Sequence, residues 1–217
     1  MARPSFISLA MVAAVVAMPG TSPASVPTPR PAMDIPATGH NEVAIFAGGC
    51  FWGVEGVYSH VKGVVSATSG YTGGSATTAT YEQASTGRTG HAESVRVVFD
   101  PTKVSYGDLL RIYFSVVADP TLRDEQGPDH GSQYRTALFP TSPAQARVAR
   151  AYIGQLSAAH VYGHPIVTSI EPFHGFYPAE AEHQHFMARN PDYPYIVIND
   201  RPKVEALRRQ FPTSYRG

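Results

Sequence analysis

Val43-Ala44-Ile45-Phe46-Ala47-Gly48-Gly49-Cys50-Phe51-Trp52-Gly53-Val54-Glu55-Gly56-Val57-Tyr58 encodes a strand, a tight turn and a helix in sixteen residues. Val43–Ala47 is continuously apolar, as a buried strand must be, and Val54, Val57, Tyr58 and Val61 then recur at helical spacing. The boundaries expected are a strand over 41–48 and a helix over 50–61. Gly48 and Gly49 between them lack a Cβ, so the backbone can turn sharply and approach a ligand. Cys50 therefore falls on the first turn of the helix, beside the chain's only tryptophan, Trp52. Unpaired N–H groups and the positive end of the helix dipole there favour a thiolate nucleophile. The competing reading is a small buried hydrophobe, the common fate of free cysteine. A structural disulfide within the chain is excluded, because Cys50 is the only cysteine among 217 residues.

Outward from this unit, strands and helices mix. A second strand is expected near Val64–Ser69, then a Gly- and Thr-rich segment running through Thr80, read as a long ordered or substrate-facing loop. Glu93–Phe99 reads as a strand that stops at Asp100-Pro101. Ser105 with Asp108 makes a capping box, followed by a clean apolar face of Tyr106, Leu109, Leu110, Tyr113, Phe114 and Val117. Residues 119–132 are a loop, Gln133–Phe139 a strand, and Ser142-Pro143 opens another helix. Pro165–Glu171 is strand-like, Pro178–Arg189 helical, and a short helix closes the chain around Val204–Arg209. Adjacent strands mixed with helices give an α+β domain over residues 41–217.

Seventeen basic residues balance seventeen acidic ones, so no net field draws the chain to nucleic acid. Ile7–Met18 is an apolar run of signal-peptide length behind Arg3, too short to span a bilayer comfortably. Small residues at Ser22-Pro23-Ala24 predict residues 1–24 as a signal peptide cleaved after Ala24, hence export to the periplasm or medium. An uncleaved anchor is the alternative. Pro27, Pro29, Pro31 and Pro36 make residues 25–40 a linker.

Strand alternation places Glu93 on one face with Val95, Val97 and Phe99. Among such neighbours desolvation disfavours the charged carboxylate. At its ordinary pKa only about 0.2% of the group would be protonated at pH 7, and bringing the pKa near 7 takes roughly 3–4 kcal/mol of desolvation. Glu93 then becomes a general acid; the alternative is a solvated carboxylate at a strand end. Tyr81 and Tyr134 are candidate hydrogen-bond donors, the latter beside a loop carrying Asp129. Nine histidines invite a metal reading, but His160/His164 and His183/His185 make no HExxH arrangement, so no metal site is expected. Glu180 and His183 read as solvated positions on a helix. P-loop, GxGxxG and GxSxG motifs are absent from the sequence.

Gly48-Gly49-Cys50-Phe51-Trp52-Gly53 resembles the active-site signature of the peptide methionine sulfoxide reductase A family. Five further segments fall in the family's order: Gly70-Tyr71-Thr72-Gly73-Gly74 with Tyr81, Gly87–Glu93, Val97–Pro101, Gly131–Arg135 and Phe176–Glu180. The resemblance runs from about residue 41 to Tyr215. It implies a ferredoxin-like βαββαβ core with long loops, and reduction of the S epimer of methionine sulfoxide, free or in proteins. By position, Cys50 would attack the sulfoxide sulfur, and Phe51 and Trp52 would form the pocket for the substrate methyl group. Glu93 would protonate the oxygen, held also by Tyr81 and Tyr134, while Asp129 would order the polar contacts. The products would be methionine and a sulfenic acid on Cys50.

Two departures stand out. Gly127-Pro128-Asp129 replaces the family's glycine-asparagine-aspartate triplet, and no resolving cysteine exists, Ser85 standing where some members carry one. The sulfenic acid would therefore need an external thiol, a thioredoxin-like protein or a small thiol, with no bound cofactor; a monomer is expected. Two other classes use the same residues: a papain-like hydrolase pairing Cys50 with His91, and a non-catalytic module that captures oxidised methionine.

Overall fold

The computed structural model describes residues 25–217, and the expected leader lies outside them. The chain enters β1 (Glu42–Gly48), turns into α1 (Phe51–Ser59) and returns through β2 (Val64–Thr72). The short helix α2 (Tyr81–Ala84) interrupts the long loop before β3 (Ala92–Phe99), and α3 (Tyr106–Ile112) follows, its last turn widening into a π-helical turn over Tyr113–Val117. A two-stranded ribbon of β4 (Glu125–Gln126) and β5 (Asp129–His130) precedes β6 (Thr136–Leu138) and the long α4 (Pro143–Ala158). Then come β7 (Ser169–Ile170), β8 (Phe176–Pro178), α5 (Phe186–Arg189) and α6 (Arg201–Gln210).

The sheet runs β7-β6-β1-β3-β2-β8. Its four inner strands are antiparallel at every contact, and with α1 and α3 they form a ferredoxin-like βαββαβ unit. β7 is added parallel to β6, and β8 antiparallel to β2. Strand alternation sorts the core into two layers. Ala44 and Phe46 of β1, with Val95, Val97 and Phe99 of β3, face the helices and meet Val54, Val57, Tyr58, Leu109 and Leu110. Ile45 and Ala47 face the other side, where Ala92, Ala137 and Phe139 form a thinner cover. Glu93 belongs to the helix-facing row, so its carboxylate points to where α1 begins.

The capping box forms as expected: Ser105 Oγ accepts from the Asp108 N–H at 3.0 Å, and the Asp108 carboxylate accepts from the Ser105 N–H. Ser142 caps α4, with Pro143 at its first position. Residues 25–40 contain no helix or strand, but they are tied to the domain. Thr28 is buried, its Oγ1 2.7 Å from Ser115 Oγ, and Asp34 accepts from the Gly107 N–H at 2.9 Å.

Four expected elements need correction, the first being the loop expected over 119–132, which carries the β4–β5 ribbon. Gln133–Phe139 is not one strand: Ser132–Tyr134 is a 3₁₀ turn, because Arg135 folds back to the carbonyls of Ser132 and Gly90 and pairs with Glu171. Of Pro165–Glu171 only Ser169–Ile170 pairs, on β6. Pro178–Arg189 is helical only from Phe186, because Gln184 binds the backbone of Ser69 on β2 and His185 takes a left-handed φ of 52° that stops any helix running through it.

Candidate active site

Gly49 adopts φ +88°, and a Cβ there would lie 2.7 Å from the Gln126 side chain. Only glycine lets the chain turn this closely beneath the ribbon. Tyr113, from the π turn, donates its hydroxyl to the Ala47 carbonyl at 2.6 Å and fixes the strand end. Cys50 is the N-cap residue of α1 and is buried, 8% exposed. A Cβ at Gly53, on the first turn of α1, would collide with the Asp200 carboxylate.

The expected thiolate is not the resting form. Burial pushes the Cys50 thiol well up, and the charges of Glu93, Asp200 and Asp129 push the same way; the Trp52 N–H opposes them. The helix N-terminus does act as anticipated, but desolvation outweighs it.

Glu93 is 2% exposed and accepts a hydrogen bond from the Phe51 N–H at 3.0 Å. Desolvation raises its pKa to about 8, helped by Asp129 and Asp200 and opposed by the Phe51 N–H. The carboxyl is thus mostly protonated at neutral pH, as the apolar face predicted.

Tyr81, Tyr134 and Asp129 come together around this pair although they arrive on α2, the 3₁₀ turn and β5. Desolvation raises the Tyr81 and Tyr134 phenols, and the charges of Glu93 and Cys50 raise both further, so both remain donors. Tyr81 is 40% exposed and stands at the mouth. Glu180 fixes α2 by accepting from the Tyr81 N–H at 2.9 Å and the Tyr71 hydroxyl at 2.8 Å. Despite Pro128, the 127–128 turn delivers Asp129, whose carboxylate accepts a short hydrogen bond from Tyr195 and is raised by burial.

Tyr195 and Asp200 are members of the site that sequence reasoning missed. Tyr195 precedes and Asp200 ends the π turn Ile196–Asp200, and such turns concentrate at functional sites. Asp200 is fully buried, raised by desolvation, and faces Lys203 at 3.3 Å. Its position before α6 suggests an ordinary helix cap, yet its side chain makes no capping bond. The usable signal was an acid two residues after the apolar run Tyr195-Ile196-Val197-Ile198.

Phe51 is buried between Tyr71 and His183. Trp52 is half-buried, stacked on Phe186 with centroids 3.8 Å apart and edge-on to Tyr195 at 5.9 Å. Its indole N–H donates to His183 Nδ1 at 3.3 Å, so His183 is a buried neutral partner, not a solvated helix position. A cavity of about 290 Å³ lies behind the indole, lined by Gly56, Met187 and Ile196, away from Cys50. His91, the base a papain-like hydrolase would need, is tied elsewhere: Nδ1 accepts from the Gly74 N–H and Nε2 sits 3.0 Å from the Ser75 carbonyl. The site therefore combines a buried thiol, a neutral carboxyl, phenolic donors and an aromatic wall, suited to giving a proton to a substrate oxygen while sulfur attacks.

Comparison with known proteins identifies the family. The family profile described as Peptide methionine sulfoxide reductase matches residues 42–215. The chain is 56% identical over 183 residues to the peptide methionine sulfoxide reductase MsrA 2 of Mesorhizobium japonicum, covering 84% of this chain and 94% of that one. It is 47% identical to MsrA 2 of Synechocystis, over 88% and 91% of the two chains. Among solved structures, methionine sulfoxide reductase A of Corynebacterium diphtheriae superimposes with a TM-score of 0.60 at 32% identity, covering 84% of this chain and 92% of that one. Reduced Mxr1 of Saccharomyces cerevisiae gives 0.62 at 30% identity, over 73% and 91%. The chain belongs to the peptide methionine sulfoxide reductase family and is an oxidoreductase that reduces methionine sulfoxide.

Proposed function

We propose that the enzyme reduces the S epimer of methionine sulfoxide through a sulfenic acid on Cys50, which an external thiol then reduces. The protonated Glu93 carboxyl beside a buried thiol supports this most directly. A sulfoxide oxygen is a poor leaving group until it is protonated, and a carboxyl held near pKa 8 is still an acid at neutral pH.

Glu93 gives its proton to the sulfoxide oxygen, with Tyr81 and Tyr134 as hydrogen-bond donors to the same atom. Cys50 Sγ bonds to the substrate sulfur, and the thiol proton passes to Glu93, restoring the acid. The oxygen then moves to Cys50: the substrate leaves as methionine, reduced by two electrons, and the cysteine becomes a sulfenic acid. Asp129, held by Tyr195, orders polar contacts at the oxygen. The substrate methyl group lies against Phe51 and Trp52. With methyl pocket and nucleophile on the first turn of α1 and the acid on β3, only one sulfoxide epimer presents its oxygen to Glu93 and its sulfur to Cys50.

With one cysteine in the chain, two equivalents of an external thiol must return Cys50–SOH to the thiol, releasing water and a disulfide. A thioredoxin-like protein or a small thiol fits that role. The apolar leader sequence adds export as part of the reading, and an N-terminus at Met1 or Ala2 in the mature protein would remove it.

Single-turnover reduction of each purified epimer, with dimedone present, tests the mechanism. One dimedone adduct per chain on Cys50 and one methionine released from the S epimer are expected. Turnover of the R epimer alone, or turnover surviving Cys50→Ser, would overturn it.

A further inference from the structure

Glu55 lies on α1 five residues after Cys50 and takes no part in the chemistry above. It is 1% exposed, which for a carboxylate is costly unless hydrogen bonds compensate. They do so fully. Ser69 Oγ donates to Oε2 at 2.7 Å, the His185 N–H reaches both oxygens at 3.0 and 3.1 Å, and His185 Nδ1 lies 2.8 Å from Oε1. Burial raises the carboxyl, and these donors pull it back down.

The residue held this way is poorly supported by its own element. α5 has only four residues, and His185 precedes it in a left-handed conformation with no side-chain cap. His183, two residues before His185, and Phe186, directly after it, both touch the indole. His183 Nδ1 accepts from Trp52 Nε1, and Phe186 stacks on the ring at an interplanar angle of 9°. Gln184 between them is bonded in both directions to the Ser69 backbone. His183-Gln184-His185-Phe186 thus grips, in order, the indole, β2, Glu55 and the indole again. The close pair of histidines that first suggested a metal has this use instead.

We propose that Glu55 is a positioning residue for the substrate pocket: by fixing His185 it sets His183 and Phe186 against Trp52, and so orients the indole. The inference rests on the assignment of Trp52 to the substrate methyl pocket. A residue needed only for stability could be apolar at lower cost. A carboxylate held by two directional donors, with the His185 ring against one oxygen, fixes one geometry.

Trp52 is the only tryptophan, so intrinsic emission reports its surroundings alone. Glu55→Gln should raise KM for a methionine sulfoxide peptide about tenfold, while the saturating single-turnover rate stays within about threefold. Its emission should shift to the red and quench more readily with acrylamide. Phe186→Leu leaves the Glu55 bonds in place and should give the same pair of changes. If Glu55→Gln does not fold, His185→Asn replaces it, since asparagine tolerates the left-handed conformation and keeps the backbone N–H. Wild-type emission and KM in the folded variant would overturn the proposal, as would a lost rate at unchanged KM. A wild-type enzyme that binds no sulfoxide peptide would instead strike at the pocket assignment, leaving the emission changes to decide whether the clamp exists.

Discussion

Glu93 and Glu55 are both nearly sealed from water, the one against the start of α1 and the other on it, and both are pushed upward by burial. They differ in what surrounds them. Glu93 accepts from the Phe51 N–H and faces other acids, Asp129 and Asp200. Glu55 accepts from Ser69 and from the backbone N–H of His185, whose ring also lies against it, with Arg189 adding a favourable charge. Burial alone thus does not make a carboxyl a reagent; the donors around it decide whether it keeps a proton to give away or becomes an anchor.

The sharpest way to break this contrast is to remove the acid and leave the shape. Glu93→Gln should lower the single-turnover rate by roughly 10²–10⁴-fold, the usual worth of a general acid. A fall of less than tenfold would mean that the proton comes from elsewhere. In the wild type the rate should decline above about pH 8 with a slope of one proton, because the active form holds the Glu93 proton and loses it there. A rate that climbs through pH 9 would instead identify the thiolate as the limiting species.

Stability should move in opposite directions at the two sites. Glu93 has a pKa of about 8 when folded and an ordinary value of 4.5 when unfolded. Its contribution is fully present below 4.5 and is lost as pH rises towards 8, so at pH 7 the fold bears a cost of up to about 3 kcal/mol. Glu93→Gln removes that cost and should raise the denaturation midpoint at pH 7. Glu55→Gln leaves donors mismatched and should lower it, at a cost in stability of about 1–3 kcal/mol. Two shifts of the same sign would collapse the distinction.

How much of this could be read from the chain depends on how local the cause was. β1, α1 and the apolar row of β3 obey periods of two and 3.6, so the strand–turn–helix and the burial of Glu93 were legible from spacing. Tyr134 was found, but in the wrong element, since its turn is made by Arg135 reaching Glu171 on a distant segment. The helix expected over 178–189 fails for the same reason: Gln184 and His185 bind β2 and α1, and tertiary bonds override a local preference. The resting state of Cys50 was misread because the helix end is visible in sequence, whereas the buried acids, Asp200 among them, converge only in space. Asp200 itself was hidden by looking like a cap.

The smallest change turns Glu55 one step towards Glu93. Ser69→Ala deletes one donor and leaves His185 in place, at a cost of about 1 kcal/mol. That donor lowers the Glu55 pKa, so without it the folded value lies further above the ordinary 4.5. A group raised on folding stabilises fully below its unfolded value and progressively less as pH rises towards its folded one. The gap between Ser69→Ala and wild type should therefore be narrow at pH 4 and widen by pH 7, measured by urea melts at both. A gap that does not change with pH would mean that the Ser69 hydroxyl does not act on the charged form of Glu55, and the contrast between the two glutamates would then rest on His185 alone.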